Sequence, residues 1–452
     1  MWNRLVRFMT WSGGVALGTA LLWCVLGGFL PFPGGQSVSG ATLRVQAAPR
    51  LQETAQGEKV VIVIDPGHGG ENFGTVENGH LEKAMTMTTA LAMYEELLLY
   101  DNVEVYLTHQ EDEDMSLKAR AEFAAQVNAD FLFSVHYNAS ANHELFGTEV
   151  WVSVLPPYNG YGYQFGYEFL RDRREEGMFI RGIKARPGDS GNDYYGIIRH
   201  SAALNIPAVI IEHCHVDEAR DAVYCDDEQG QASQEKLQAF GKADATAVAR
   251  YFGLKSSALG VDYSGYELVP SETDQCVPAT VRDETEPEEC RVEVLESDYE
   301  NAQITLKVSA VDRESTLLYY SYSFDGGVTF GRREPWPGSD ALAGKWDESF
   351  QVTLPVARGT APRIVVRAHN MYDLYRESSL WESPQIFPTQ PPAWARMDIV
   401  AVDTRTLTVP EENEVDLFML IKFCVNSALG LCMLLALLHC LTRRPRRNPQ
   451  DK

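Results

Sequence analysis

Three apolar runs in this sequence end on a side chain able to bind a metal or move a proton. VVIVIDPGH, residues 60–68, delivers His68; FLFSVH, residues 131–136, delivers His136; AVIIE, residues 208–212, delivers Glu212. A fourth group, Glu82, opens the helix-patterned stretch LEKAMTMTTALAMYEELLLY, residues 81–100. Two imidazoles and one carboxylate with an open fourth position form a common catalytic zinc shell. Zinc in such a shell acidifies water and polarises a carbonyl. The second carboxylate is then free to serve as general base and to hand a proton to a leaving amine. Each residue alone has an ordinary explanation. A histidine at a strand end is commonly a satisfied turn residue, and a glutamate at a helix start complements the helix dipole. Glu212 is harder to explain that way, because a carboxylate closing an apolar strand needs a partner. Convergence from four distant segments is what points to a site.

Parallel strands must deliver these groups to one edge. Strand patterns occur at 60–64, 103–108, 131–136, 148–154 and 208–213, alternating with helix patterns at 81–100, at SLKARAEFAAQVNA (116–129) and at 234–253. Ser116 suits an N-cap, and Gly253 suits a helix stop. In the first helix Leu81, Met85, Thr88, Thr89 and Ala92 approximate one apolar stripe, thickened by Leu97, Leu98 and Leu99. Alternation of this kind predicts an α/β fold, a twisted, mostly parallel sheet flanked by helices on both faces. Ligands in such sheets sit at the carboxyl ends of the strands. Gly67, Gly69 and Gly70 allow a tight turn and clearance for a substrate, and Asp65 is placed to orient His68 or a neighbour.

The organisation of the rest follows from composition. Residues 1–32 have a basic start and an apolar run, as in a signal peptide or signal anchor. Residues 33–57 read as a linker, 58–255 as the catalytic domain, 256–274 as a second linker, and 275–390 as an antiparallel, Ig-like β-sandwich. In that sandwich SFDGGVTF is a strand–turn–strand signal. A linker, 391–415, leads to a transmembrane helix over 417–442 and a basic cytoplasmic tail, 443–452. This layout places the catalytic and β domains outside the cytoplasmic membrane. The net charge is −24; residues 1–44 and 416–452 together carry +7, so the middle carries −31. A middle that acidic excludes a nucleic-acid partner. Cys214, Cys225, Cys276 and Cys290 lie in the exported part, and their spacing favours bridges 214–225 and 276–290. Zinc on these four is disfavoured, because no C-x₂-C pair exists.

Residues 59–254 resemble the zinc-dependent N-acetylmuramoyl-L-alanine amidases, of the AmiC-like type. The resemblance is carried by IDPGHGG, LEKAMTM, VYLTHQEDEDMSLKARAEFAAQVNADFLFSVHYNAS, GTEVWVS, RGIKARPGDSGNDYYGIIRHSAALNIPAVIIEH and KADATAVARYFGL. It implies one zinc ion held by His68, Glu82 and His136, with Glu212 as catalytic acid/base, on a phosphorylase/hydrolase-like amidase fold. The substrate it implies is peptidoglycan, cut at the amide between the lactyl group of N-acetylmuramic acid and L-alanine. A non-catalytic peptidoglycan-binding scaffold on the same fold is the alternative, and other zinc peptidase or deacetylase chemistry a third. Substrate-binding residues and protein partners are not assigned by the sequence. The sequence departs from the family at His109, where arginine is usual, and at His213-Cys214-His215 after Glu212. His213 and His215 alternate about Cys214, so at most one faces the zinc. His80 reads as an exposed turn residue. The segment 155–200 is too short for the inserted inhibitory helix of some relatives, so the site is expected to be open. The β domain reads as a spacer above the membrane, with wall binding as its alternative.

Overall fold

A computed structural model of the chain describes residues 59–269 and 283–389. Residues 1–32 and 417–442, expected to hold the signal and the transmembrane helix, lie outside the described residues, as does Cys276. No helix among the described residues is long and apolar enough to cross a membrane.

Consecutive valines and isoleucines make β1 (Val60–Pro66) a strand that must be covered on both faces. It sits inside a six-stranded sheet with β2 (Val103–Leu107), β3 (Phe131–Asn138), β4 (Thr148–Val152), β5 (Ile180–Ala185) and β6 (Ala208–His215). The strand order is β2-β1-β3-β6-β4-β5. The neighbours β2, β1, β3 and β6 run parallel, as do β4 and β5, while β4 runs antiparallel to β6. The mostly parallel sheet expected from the alternation is present.

Six helices flank it: α1 (Glu82–Leu97), α2 (Leu117–Gln126), α3 (Tyr158–Glu175), α4 (Gly196–Ala203), α5 (Ala219–Cys225) and α6 (Gln234–Tyr251). Side chains alternate across a strand. Ile62, Ile64, Phe131 and Phe133 therefore pack with Met93, Phe165 and Val248 of α1, α3 and α6. Val63, Leu132 and Ile210 pack on the other face with Ala124, Ile197 and Ile198 of α2 and α4. Ser116 caps α2 by accepting from the Ala119 amide, and Gly253, at φ 62°, follows the end of α6. The stripe of α1 needs one correction. Leu97 is buried, but the helix stops there, which leaves Leu98 and Leu99 51% and 41% exposed. Residues 256–269, the described part of the stretch expected as a linker, lie along the core. Tyr263, Leu268 and Val269 pack against it, and the Tyr266 hydroxyl donates to Glu168 at 2.7 Å.

The strands expected after residue 283 also form. β7 (Glu289–Asp298), β8 (Gln303–Val311) and β10 (Ser349–Pro355) make an antiparallel sheet in the order β7-β8-β10. β9 (Leu317–Ser323) and β11 (Arg363–Asn370) centre the second sheet, joined by short strands at 334–335, 375–377 and 381–382. Ile304, Leu306, Trp336 and Val366 form the core. In the SFDGGVTF turn Gly326 and Gly327 both take positive φ, and Asp325 accepts from the Thr329 amide and hydroxyl. The chain pairs again only at Glu334, not at Val328.

This domain caps β5, the edge strand of the central sheet. Arg181 of β5 is 2% exposed and donates to Glu149 at 2.7 Å, to the Tyr319 hydroxyl at 2.9 Å and to Asp373 at 2.8 Å. Lys184 also reaches Glu149 at 2.7 Å, and Tyr319 donates to the Phe146 carbonyl. Covering an edge removes its unpaired backbone from solution. Two buried cations on one buried carboxylate, Glu149, with the half-buried Asp373 beside them, are costly to break singly. Arg181→Met is expected to destabilise the protein by about 3–5 kcal/mol in chemical denaturation. Arg174→Ala removes a half-exposed pair with Asp340 and should cost no more than about 1 kcal/mol.

Candidate active site

The register of the parallel strands aligns the four candidates. Asp65 of β1 lies beside Ser134 of β3, and His136 lies beside Glu212 of β6. His68 follows two residues after β1 ends, and Glu82 begins α1. The structure brings His68, Glu82 and His136 together. Glu82 Oε1 is 2.9 Å from His68 Nε2 and 3.1 Å from His136 Nδ1, and their ligand atoms lie within 4.8 Å of one another. Glu82 is 4% exposed, whereas the His68 and His136 side chains keep 20% and 19% of their surface open.

Glu82 is fixed by the loop ahead of its helix. Its Oε2 accepts from the Thr75 amide at 2.7 Å, and its own amide donates to the Thr75 carbonyl at 3.0 Å. Burial works against its charge, but hydrogen bonds from His136 and His68 prevail and hold the carboxyl well below the usual range. Burial likewise disfavours a charged His68, yet the Glu82 carboxylate raises its affinity for a proton above the ordinary value. His68 Nδ1 meets Asn72 Oδ1 at 3.0 Å, which directs Nε2 toward Glu82. Asn72 is marked in the sequence only by its place four residues after the histidine, in the same turn.

Asp65 does orient a neighbour, and that neighbour is Arg120. The Asp65 carboxylate accepts from Arg120 and the Thr108 hydroxyl through one oxygen and from Ser134 through the other. Arg120 in turn donates to the Pro66 and His68 carbonyls, both at 2.6 Å. The turn is thus held by its backbone, while Asp65 makes no hydrogen bond to the His68 ring. Arg120 was not singled out from the sequence, since a lone arginine on a helix reads as solvated. His109 lies beside this pair, 4% exposed, with its ring 3.1 Å from the Thr108 hydroxyl. Burial and the Arg120 charge keep it neutral more readily than a free imidazole.

The glycines clear space for protein, not substrate. A Cβ at Gly67 would lie 2.4 Å from the His136 ring, and one at Gly69, where φ is 126°, would lie 2.3 Å from the Glu113 carbonyl oxygen.

Glu212 stands next to this cluster without belonging to it. Its Oε2 is buried and has no hydrogen-bond partner among the described residues. Burial, then the negative charges of Glu82 and Glu149, push its proton affinity well above that of an ordinary carboxyl. Glu149 lies across from it on β4. Burial opposes the Glu149 charge, but Arg181 and Lys184 outweigh it and hold that carboxyl low.

Neither histidine after Glu212 joins the cluster. His213 is core, bonded through Nε2 to Asp244 at 2.8 Å. His215 meets the Gly147 carbonyl at 3.1 Å. That agrees with the expectation that at most one of them faces the site; a register shift falls between the His136/Glu212 and Asn138/His215 pairs. Two further expectations are corrected. Cys214, Cys225 and Cys290 are free thiols, so the 214–225 bridge is not formed. His80 is 2% exposed, not an exposed turn residue, and its Nε2 lies 2.5 Å from Asp226.

A family model described as N-acetylmuramoyl-L-alanine amidase matches residues 62–242, a span that contains His68, Glu82, His136 and Glu212. The N-acetylmuramoyl-L-alanine amidase CwlM of Bacillus licheniformis is 32% identical over 201 residues, covering 44% of this chain and 71% of its own length. The chain belongs to the N-acetylmuramoyl-L-alanine amidase family. The sporulation-specific N-acetylmuramoyl-L-alanine amidase of Bacillus subtilis (strain 168) is 28% identical over 200 residues, covering 44% of this chain and 71% of its own. The solved catalytic domain of CwlV, from Bacillus (Paenibacillus) polymyxa var. colistinus, is 27% identical; the match covers 43% of this chain and 99% of that one, with a TM-score of 0.36.

As in any site built on converging strands, small displacements matter. Gly67→Ala in this amidase-family chain is expected to push the His136 ring aside and lower turnover of purified peptidoglycan by roughly 100-fold, since a misplacement of about 1 Å costs that much. Circular dichroism and melting of the variant would show that the fold persists.

Proposed function

We propose that this chain is a zinc-dependent peptidoglycan hydrolase that cleaves the amide between the lactyl group of N-acetylmuramic acid and L-alanine of the stem peptide. One observation carries this reading: a buried, unpartnered Glu212 oxygen beside a compact His–Glu–His donor set. The residues fit a zinc ion. Two imidazoles and a carboxylate are its usual donors. The His68 Nδ1 contact with Asn72 leaves Nε2 as the donor atom, as metal-bound histidines require. His68 Nε2, Glu82 and His136 Nδ1 would hold the ion. Bound there, it would supply Lewis-acid polarisation of the scissile carbonyl and a more acidic water.

The remaining steps fall to the protein. Glu212 takes a proton from the attacking water and passes it to the departing L-alanine nitrogen. Its apolar strand and its carboxylate neighbours raise its proton affinity, which suits it to that transfer. Arg120 and Asp65 hold the turn that carries His68. Glu149, kept ionised by Arg181 and Lys184, keeps negative charge next to Glu212. The site is open to a polymer. The 155–200 segment spends its one long helix, α3, in the core, where Phe165 and Phe169 are buried. We further propose that residues 417–442 anchor the protein and place the site at the outer face of the cytoplasmic membrane. The apolar run at 423–441 followed by the basic tail supports this.

Purified peptidoglycan digested with the full chain should release free stem peptides, seen by mass analysis, and a chelator should abolish the release until zinc is restored. Glu212→Gln should retain zinc while losing at least about 100-fold in turnover; His68→Ala should lose both. An active Glu212→Gln protein would remove Glu212 from the mechanism. Zinc binding without release of stem peptides would favour the scaffold reading.

A further inference from the structure

A second group of ligand-type side chains lies two residues along the chain from each carboxylate of the site. His80 precedes Glu82 by two residues, and Cys214 follows Glu212 by two. His80 Nε2, Cys225 Sγ and a carboxylate oxygen of Asp226 lie within 4.8 Å of one another. The Cys225 thiol donates to Asp226 Oδ1 at 3.4 Å, and its ionisation is linked electrostatically to His80 and to the Cys214 thiol. The four come from three separate segments: the 76–81 hairpin, β6, and the end of α5.

The arrangement is that of a closed site. His80 Nδ1 meets the Glu77 carbonyl at 3.1 Å, which turns Nε2 toward Asp226 and the cluster; a metal would take the place of the proton that Nε2 shares with Asp226. His80, Cys214 and Cys225 are 2%, 0% and 0% exposed, and the Asp226 side chain is 13% exposed. Met85, Met178, Leu237 and Phe240 surround the sulfurs. The backbone of the α5 end is pinned, with Lys236 donating to the carbonyls of Val223 and Asp226. A plain His80–Asp226 ion pair would account for two of the four side chains. It gives no reason for a free Cys225 thiol to share that point, nor for a second free thiol, Cys214, to be buried beside it.

We propose that His80 Nε2, Cys225 Sγ, Cys214 Sγ and the Asp226 carboxylate form a second, structural metal site for zinc. Four protein ligands of mixed nitrogen, sulfur and oxygen type, with no position left open, are what a structural zinc takes. Ligands at ~2.0–2.3 Å from a tetrahedral ion lie roughly 3–4 Å apart; His80, Cys225 and Asp226 already lie within 4.8 Å of one another, and Cys214, outside that group, would close in on the ion as the fourth ligand. The ion would tie the hairpin that leads into Glu82 to the strand that carries Glu212. It would thereby fix the distance between the two carboxylates of the site.

Cobalt substitution tests this without reference to activity. His68, Glu82 and His136 offer only nitrogen and oxygen, so a thiolate-to-cobalt charge-transfer band can come only from a cysteine site. The full chain loaded with Co2+ is expected to hold two equivalents by elemental analysis and to show that band. The double variant Cys214→Ser/Cys225→Ser should lose the band and one equivalent, and Asp226→Asn should weaken cobalt binding at this site about 10-fold or more. His68→Ala should lose one equivalent and keep the band. The proposal is overturned if the cobalt-loaded wild type lacks the band or if the band survives in Cys214→Ser/Cys225→Ser. It is equally overturned if protein purified without reductant carries a Cys214–Cys225 disulfide by mass analysis.

Discussion

The Asp65–Arg120 pair is the contact on which the site rests. It is buried at both ends, 1% and 2% exposed, with the two side chains 2.8 Å apart. A buried pair of this kind is tolerable only when its remaining donors and acceptors are satisfied. Here they are: Thr108 and Ser134 bond Asp65, and the carbonyls of Met115, Pro66 and His68 receive Arg120. The pair therefore joins β1, β3, the end of β2 and the first turn of α2 at one point. It also fixes His68 at φ 69°, a conformation that a non-glycine residue adopts only when its surroundings compel it.

Around that point the site separates two carboxylates by environment. Glu82 receives hydrogen bonds from two imidazoles and two backbone amides and is held ionised. Glu212, buried without such partners and close to two negative groups, is pushed toward the protonated form. Pairs of titratable groups driven apart in this way mark acid–base assignments. The β domain takes part in this division. Through Tyr319 and Asp373 it completes the shell of Arg181, and Arg181 keeps Glu149 charged beside Glu212. A spacer role alone does not account for contacts that reach so close to the site.

Much of this was legible in the sequence because it follows from local rules. A run of β-branched residues such as 60–64 can only be a buried strand, and an alternating series of such runs and helices can only build a mostly parallel sheet. The position of His68, His136 and Glu212 at strand ends, and of Glu82 at a helix start, then followed without knowledge of any contact. Elements stabilised by tertiary partners were not legible. β5 contains Arg181 and Lys184, which break its apolar pattern and are buried only because Glu149 and Asp373 meet them. α3, with tyrosines and glycines of poor helix propensity, forms because its face packs on the sheet.

The sequence by itself determined the fold class, the strand ends and the four groups that meet at the site, since each depends on residue type and spacing along a short segment. Only the tertiary structure decided how those groups are held. Arg120 acts through contacts between segments, and nothing in its neighbours along the chain marks it. The same holds for the cysteines and His80. Spacing suggested a bridge and an exposed turn, but the packing of β6, α5 and the 76–81 hairpin instead buries two free thiols, an imidazole and a carboxylate together. Convergence in space is set by the register of strands and the docking of loops, which no single segment encodes.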